Sequence, residues 1–376
     1  MDRPIDFSLG ALFPDRKSPF PDKFNAQCVR DRRVLITGAG GSIGSALSAK
    51  VLEAGPRKLF LLDHSVISLT RLRQGIAESD DCKRVQLIFG DVRDEKIIEQ
   101  LVNRQAIDII FHAAAYKHVP LLEGNLIGAA RNNGLATWNL AKAAASAGVK
   151  RMILISTDKA ANPKSVLGAS KRIAELALAR WRRAGLPMCA MRLGNVAGSS
   201  GSVIPVFQEQ IVNGRPVTLS HPAATRYFLT MEETLSALGA LAAREGASGL
   251  FVPEMGEPIP IMRLAEGMIE LASRTGRPRS KIETVGLRPG DKLQEDLLSH
   301  GESLGAEIAT GIFEIVGKEF DNEELDGCFE RLKAALERSD RETVLAEVKA
   351  LVPHYEPARR QDSASFTRSA AGASHD

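Results

Sequence analysis

From Arg33 onward the chain repeats one alternation. Short unbroken apolar runs, "VLIT", "KLFLLD", "VQLIFGD", "DIIFHAA", "MILIST" and "MCAMRL", are separated by stretches with helical spacing such as "SIGSALSAKVLEA" and "NLAKAAASAG". Runs that are apolar on both faces mark strands covered on both sides, unlike the half-exposed strands that alternate apolar and polar. Strand and helix in turn predict an α/β fold with a doubly wound parallel sheet. After Leu193 the alternation loosens, and Gly- and Pro-punctuated segments ("GNVAGSSGSVIP", "NGRPVTLSHPAATRYF", "GLRPGDKL") separate isolated helices. The expected organisation is an arm over 1–31, lying on its own domain or on a neighbouring subunit, and a sheet domain over 32–193. Residues 194–352 would form mainly a smaller C-terminal lobe closing over a ligand, with the last helices. A disordered tail is expected over 353–376 from its composition. No internal repeat is present.

Composition narrows the class. The chain has 376 residues, 44% of them hydrophobic, and a formal net charge of +3 with Lys and Arg spread throughout. That spread argues against a nucleic-acid surface. The four cysteines lie far apart and match no metal spacing, so no metal is expected, and free thiols point to a cytoplasmic setting. No apolar run approaches the roughly 20 residues needed to span a bilayer, and "MDRPIDFSLG" has no signal-peptide core.

The first chemistry lies in "VLITGAGGSIG", with Gly38, Gly41 and Gly44 between a strand and a helix. Glycines there allow a tight turn and close approach of a pyrophosphate to the helix start at Ser42 and Ile43. Asp63 closes the second strand about 20 residues later, as a dinucleotide fingerprint requires. A carboxylate there accepts from the ribose hydroxyls and repels a 2′-phosphate. With His64 and Ser65 following instead of Arg, NAD is favoured over NADP, although Arg71 and Arg73 lie further along. Asp91 and Val92, after the third strand, fall where the adenine would lie. Ala113, Ala114 and Ala115 follow the fourth.

In an open α/β sheet, ligands gather at the carboxyl ends of the strands. "MILIST" ends at Thr157, so Thr157, Asp158 and Lys159 should reach the crevice. The next helix, "SVLGASKRIAELALARW", places Leu167 and Lys171 one turn apart on one face. A short-chain dehydrogenase would carry Tyr where Leu167 stands, four residues before its Lys. Of the three tyrosines, Tyr116 alone lies near the crevice by topology, where packing against the cofactor is its expected role.

The chain resembles an extended short-chain dehydrogenase, specifically the UDP-N-acetylglucosamine 4,6-dehydratases of bacterial polysaccharide biosynthesis. The matching stretches are "TGAGGSIGS", "HAAAYKHVPLLEGN", "NNGLATWNLA", "STDKAANPKSVLGASKR", "RLGNVAGSSGSVIPVF", "HPAATRYFLT" and "GLRPGDKL", in family order from about Arg33 to Leu298. The resemblance implies hydride loss from carbon 4 of a UDP-sugar, loss of water across carbons 5 and 6, and hydride return to carbon 6. It implies Asp158 as acid, Lys159 as base, and Thr157 on the carbon 4 oxygen. Lys171 belongs to both the catalytic and the cofactor set. Asn195, Arg226, Arg288, Asp291 and Lys117 are expected on the substrate, and a homodimer or larger assembly is expected. Leu167 departs from the Tyr of the family's small branch and from the Met of its large, often membrane-anchored branch. It shares the apolar character of the latter, so loss of the phenol is compatible with activity. The expected proton route from the carbon 4 hydroxyl then runs through Thr157 to Asp158. Lys159 must be neutral to act as base, and nearby Lys171 with the oxidised cofactor is expected to keep it so. The other readings are an epimerase or dehydrogenase on a similar nucleotide sugar, and a silent NAD-binding regulator.

Overall fold

The computed structural model describes residues 5–20, 24–77, 80–182, 186–318 and 320–356. The six apolar runs form β1 Arg33–Thr37, β2 Lys58–Asp63, β3 Val85–Phe89, β4 Ile109–His112, β5 Arg151–Thr157 and β6 Met188–Leu193. Three strands from the back half join them: β7 Gly249–Pro253, β8 Ser303–Ala309 and β9 Ile312–Val316. The nine-stranded order is β8-β9-β7-β6-β5-β4-β1-β2-β3. Pairing is parallel from β3 to β7, and β9 and β8 then add antiparallel. Wound outward from β1 in both directions, the sheet has its switch point between β1 and β4, where such sheets bind ligands.

Burial on both faces explains the unbroken apolar runs. Along β1, Val34 and Ile36 face one core with Leu47 and Val51 of α1 (Ser42–Glu53). Leu35 faces the other with Leu140 of α2 (Ala136–Ser146). All three β1 side chains are fully buried, and the two faces alternate with the period of two that a strand imposes. Helix α3 (Val166–Arg182) follows β5, and α4 (Met231–Ala243) packs beside α1 in the first core. The last two helices, α5 (Asn322–Arg338) and α6 (Arg341–Leu351), cover α3, with Phe329 stacked on Trp138 at 3.9 Å between ring centroids.

The arm lies on its own chain. Phe7 and Leu9 are buried in the lobe core with Phe207, Ile261 and Met268. Arg16 donates to both Glu233 carboxylate oxygens, at 2.6 and 2.9 Å, and to the Phe228 carbonyl. At the other end Tyr355 is buried, so the chain is packed through the start of the expected tail, and 357–376 lie outside the described residues. Among the described residues no helix is long and apolar enough to cross a membrane.

Candidate active site

The glycine turn sits at the switch point. Gly38 has φ +66°, and a Cβ on it would stand 2.6 Å from the Ala114 Cα and 2.8 Å from the Ala113 carbonyl carbon. Only glycine lets the ends of β1 and β4 approach this closely. A Cβ on Gly44 would lie 2.1 Å from the Gly38 carbonyl oxygen, so α1 also needs glycine to seat against the turn. The N-cap of α1, Gly41, offers no side-chain cap, which leaves the amides of its first turn for a ligand. Asp63, 7% exposed, accepts from the Gly40 amide on Oδ2 and the Ser65 amide on Oδ1, both at 2.8 Å. His64 is largely exposed, its Nδ1 3.6 Å from Asp63 Oδ1. A glycine cradle, an open helix start and a buried carboxylate fit a dinucleotide. The two positions expected at the adenine follow β3. Asp91 is bound by Arg93, whose hydrogen bonds hold its carboxyl below the usual range. Val92 turns into the core with Leu62 and Ile98.

The end of β5 gathers the reactive groups. Thr157 caps a single 3₁₀ turn, Asp158–Ala160, which brings Asp158 and Lys159 beside it. Thr157 Oγ1 donates to Asp158 Oδ1 at 2.9 Å. Lys159 Nζ donates to the same oxygen at 3.0 Å and to Asn195 Oδ1, from the strand beyond β6, at 3.1 Å. It also lies 3.4 Å from Glu295 Oε1, which is 3.4 Å from Arg226 Nε. Asp158 is fully buried, and its Oδ2 has no partner, nor has Glu295 Oε2.

The electrostatics of the free chain bear on one expectation. Burial lowers the proton affinity of Lys159, but Asp158 and Glu295 outweigh it and the net direction is upward. The cation opposing them is Arg226. Lys171 instead donates to the Ile155 carbonyl at 2.7 Å, and burial pushes it down to about 8 against the pull of Glu175. In the free chain Lys159 is therefore held protonated, because two carboxylates face it and Lys171 points elsewhere.

Leu167 is buried in the first turn of α3. Next to it, a Cβ on Gly168 would stand 2.2 Å from the Lys159 carbonyl oxygen, so α3 packs directly on the reactive turn. The Tyr116 backbone is fixed by Asn133, which accepts from its amide and donates to its carbonyl while also donating to Ser170 Oγ. Asn133 lies in a π-helical segment, Ala130–Leu135, ahead of α2, the kind of irregularity that recurs at functional sites. Topology singled out Tyr116, but Tyr227 also faces this region: burial, with the charges of Glu257, Asp158 and Asp296, raises its phenol.

Most of the expected substrate residues are engaged within the chain. Arg226 donates to the carbonyls of Thr225, Leu293 and Lys292. Arg288 donates to Asp291 Oδ2 at 3.0 Å, and Lys117 is exposed. Lys292 donates to the Ala161 carbonyl at 2.8 Å, which ties the 288–296 loop to the turn after β5. Glu295 was not singled out in the sequence because it lies just past the matching stretch "GLRPGDKL", while Asn133 and Tyr227 fall within matching stretches but were given no role. Among the described residues no group of three or more His, Cys, Asp or Glu side chains could hold a metal ion.

Comparison with known proteins agrees with this geometry. Residues 34–316 match a family described as "Polysaccharide biosynthesis protein". Capsular polysaccharide biosynthesis protein CapD of Staphylococcus aureus is 40% identical over 72% of this chain and 46% of its own length. Probable polysaccharide biosynthesis protein EpsC of Bacillus subtilis is 38% identical over 78% of this chain and 49% of its own length. The chain thus spans about half the length of these two relatives. A UDP-glucose 4-epimerase of Rickettsia rickettsii is 30% identical over 74% of the chain and 80% of its own length. Among solved structures, Pen from Bacillus thuringiensis superposes with a TM-score of 0.68 at 28% identity, over 79% of this chain and 97% of that one. DesIV, a dTDP-glucose 4,6-dehydratase from Streptomyces venezuelae solved with NAD and TYD bound, shares the fold at 24% identity and a TM-score of 0.62, over 71% and 88%. With this doubly wound sheet and these relatives, the chain belongs to the polysaccharide biosynthesis protein family and has the fold of the extended short-chain dehydrogenases.

Proposed function

We propose that the chain is an NAD-dependent 4,6-dehydratase that converts UDP-N-acetylglucosamine to a UDP-4-keto-6-deoxy-N-acetylhexosamine. The observation that carries this reading is the meeting of a hydroxyl, a carboxyl and an amine, Thr157, Asp158 and Lys159, within hydrogen-bond reach at the carboxyl edge of the sheet. The cofactor set is Gly38, Gly41, Ser42, Ile43, Gly44, Asp63, His64, Ser65, Ala113, Ala114, Ala115 and Lys171, with Asp91 and Val92 at the adenine end. Bound there, NAD supplies an acceptor for the carbon 4 hydride and a donor of the same hydride to carbon 6. The Asp63 carboxylate favours it over NADP, because a 2′-phosphate would face a buried anion.

The proton traffic falls to the chain. Thr157 relays the carbon 4 hydroxyl proton to Asp158 Oδ1, the oxygen to which its own hydroxyl donates. Asp158 then gives that proton to the carbon 6 hydroxyl as it leaves as water. Lys159, as the neutral amine, takes the carbon 5 proton and later returns it, so both side chains end as they began. No phenol enters this route, which accommodates Leu167. Asn195, Arg226, Arg288, Asp291 and Lys117 would grip the nucleotide diphosphate and sugar, with Arg288 turning from Asp291 to phosphate. A homodimer or larger assembly is part of the proposal.

The epimerase relative favours a second reading, interconversion at carbon 4 alone. Carbon 4 epimerisation needs no acid–base pair for carbons 5 and 6, so the Asp158–Lys159 pair supports dehydration instead. Incubation with UDP-N-acetylglucosamine in heavy water tests both. A dehydratase gives a product lighter by one water and deuterated at carbon 5, an epimerase gives an isomer, and an unchanged substrate overturns both readings.

A further inference from the structure

The reactive turn is held by a side chain outside its own motif. Lys159 is faced by Asp158 from its own turn, by Asn195 from the strand after β6, by Glu295 from the loop after "RPGDKL", and by Arg226 behind Glu295. Asp158 also acts on Tyr227, whose phenol is raised by burial and by the charges of Glu257, Asp158 and Asp296. The Glu295 side chain is 3% exposed. One of its oxygens stands 3.4 Å from both the ammonium and the guanidinium, while the other is buried without a partner.

Charges and donors both count here. An ammonium has three N–H groups; Lys159 donates to Asp158 and Asn195, and Glu295 stands 3.4 Å away as an ion-pair partner. The cluster carries two cations, Lys159 and Arg226, against two carboxylates, Asp158 and Glu295, and is neutral only while Glu295 is ionised. Buried charges persist when they are paired in this way.

We propose that Glu295 is a positioning residue: it holds the Lys159 amine against the turn at the end of β5 and sets the pH at which Lys159 gives up its proton. Its relevance to catalysis rests on the reading of Lys159 as the carbon 5 base. Without the Glu295 charge, two cations share one carboxylate and Lys159 releases its proton more readily. Without the Arg226 charge, two carboxylates share one cation and Lys159 keeps its proton longer.

The test titrates Lys159 directly, by NMR of the full chain carrying lysine labelled with ¹³C at Cε and saturated with NAD+, with Lys159→Arg identifying the resonance. Glu295→Gln, nearly isosteric, is expected to lower the Lys159 midpoint by about one pH unit or more, a tenfold change in the neutral fraction. Glu295→Asp, which keeps the charge, should recover most of that shift, and Arg226→Met should move the midpoint upward. A Glu295→Gln midpoint equal to that of the unsubstituted chain overturns the proposal. Should that variant fail to fold, an Arg226→Met midpoint that stays put or falls does the same. The titration needs no turnover: a chain that shows these shifts yet forms no dehydrated product refutes the proposed function and leaves the role of Glu295 standing.

Discussion

Arg192→Met tests the support beneath the active site. Arg192 is fully buried at the end of β6. Its Nε and Nη2 donate to the two Glu175 carboxylate oxygens at 3.0 and 2.8 Å, and Nη1 donates to Glu302 at 2.6 Å and to the Leu297 carbonyl at 3.0 Å. Glu175 also accepts from Arg172 at 2.9 Å and from Ser156 Oγ, one residue before Thr157, at 2.7 Å. Two arginines and two glutamates cancel. Methionine fills much of the volume but leaves both carboxylates on Arg172 alone, a net buried charge of one. Breaking a buried pair from one side costs about 3–5 kcal/mol. Arg172 remains on both carboxylates, which places the expected loss at about 3 kcal/mol. Urea unfolding followed by the fluorescence of Trp138 of α2 and Trp181 of α3, which pack edge to face, should show the midpoint fall by about 1 M, given a slope near 3 kcal/mol per molar. The triple variant Glu175→Gln/Arg192→Met/Glu302→Gln, which removes the stranded charges, should regain more than half of the loss. A single-variant loss below about 1 kcal/mol, the range of exposed pairs, would refute the reasoning.

Other expectations follow from the same geometry. Asp158→Asn should lower dehydration by about 10²–10⁴-fold and also abolish the transient NADH absorbance on adding substrate; persistent NADH formation would remove Asp158 from the first proton transfer. Gly38→Ala, at positive φ and with its Cβ 2.6 Å from the Ala114 backbone, should weaken NADH binding by at least about tenfold in a fluorescence titration, and unchanged binding would detach this turn from the cofactor. Stability should decline on mild acidification because of His112. The Thr137 hydroxyl donates to the Asn133 carbonyl, so His112 Nε2 donates to Thr137 Oγ1 and Nδ1 accepts from Thr37 Oγ1. Burial, aided by Lys171, pushes the ring from 6.5 down to about 3. A depressed folded-state value means the unfolded chain takes the proton first, so this contribution is whole above about 6.5 and is lost as pH falls toward 3. The urea midpoint should drop between pH 7 and 5, and His112→Asn should flatten that drop; a midpoint constant over this range would contradict it.

Much of the molecule was legible along the chain. Six of the nine strands of the sheet announce themselves as apolar runs, mainly because burial on both faces leaves few polar positions, although β3 at the sheet edge is only partly buried. The glycine turn, Asp63 and the Thr157–Asp158–Lys159 turn were readable because their spacing is set by local geometry: a strand end, a tight turn, a helix start. Strands β7 and β9 went unread because each is an isolated run among Gly and Pro, and only the sheet edge they pair with gives them meaning. The partners of Lys159 went unread for a related reason. Its neighbours in sequence suggested Lys171, whereas folding turns Lys171 to the Ile155 carbonyl and brings up Glu295, 136 positions further along the chain. Local spacing determines which backbone shapes form and where a reactive side chain sits. Proton affinity depends on every charge within several ångströms, and those charges arrive from segments that meet only in the folded chain.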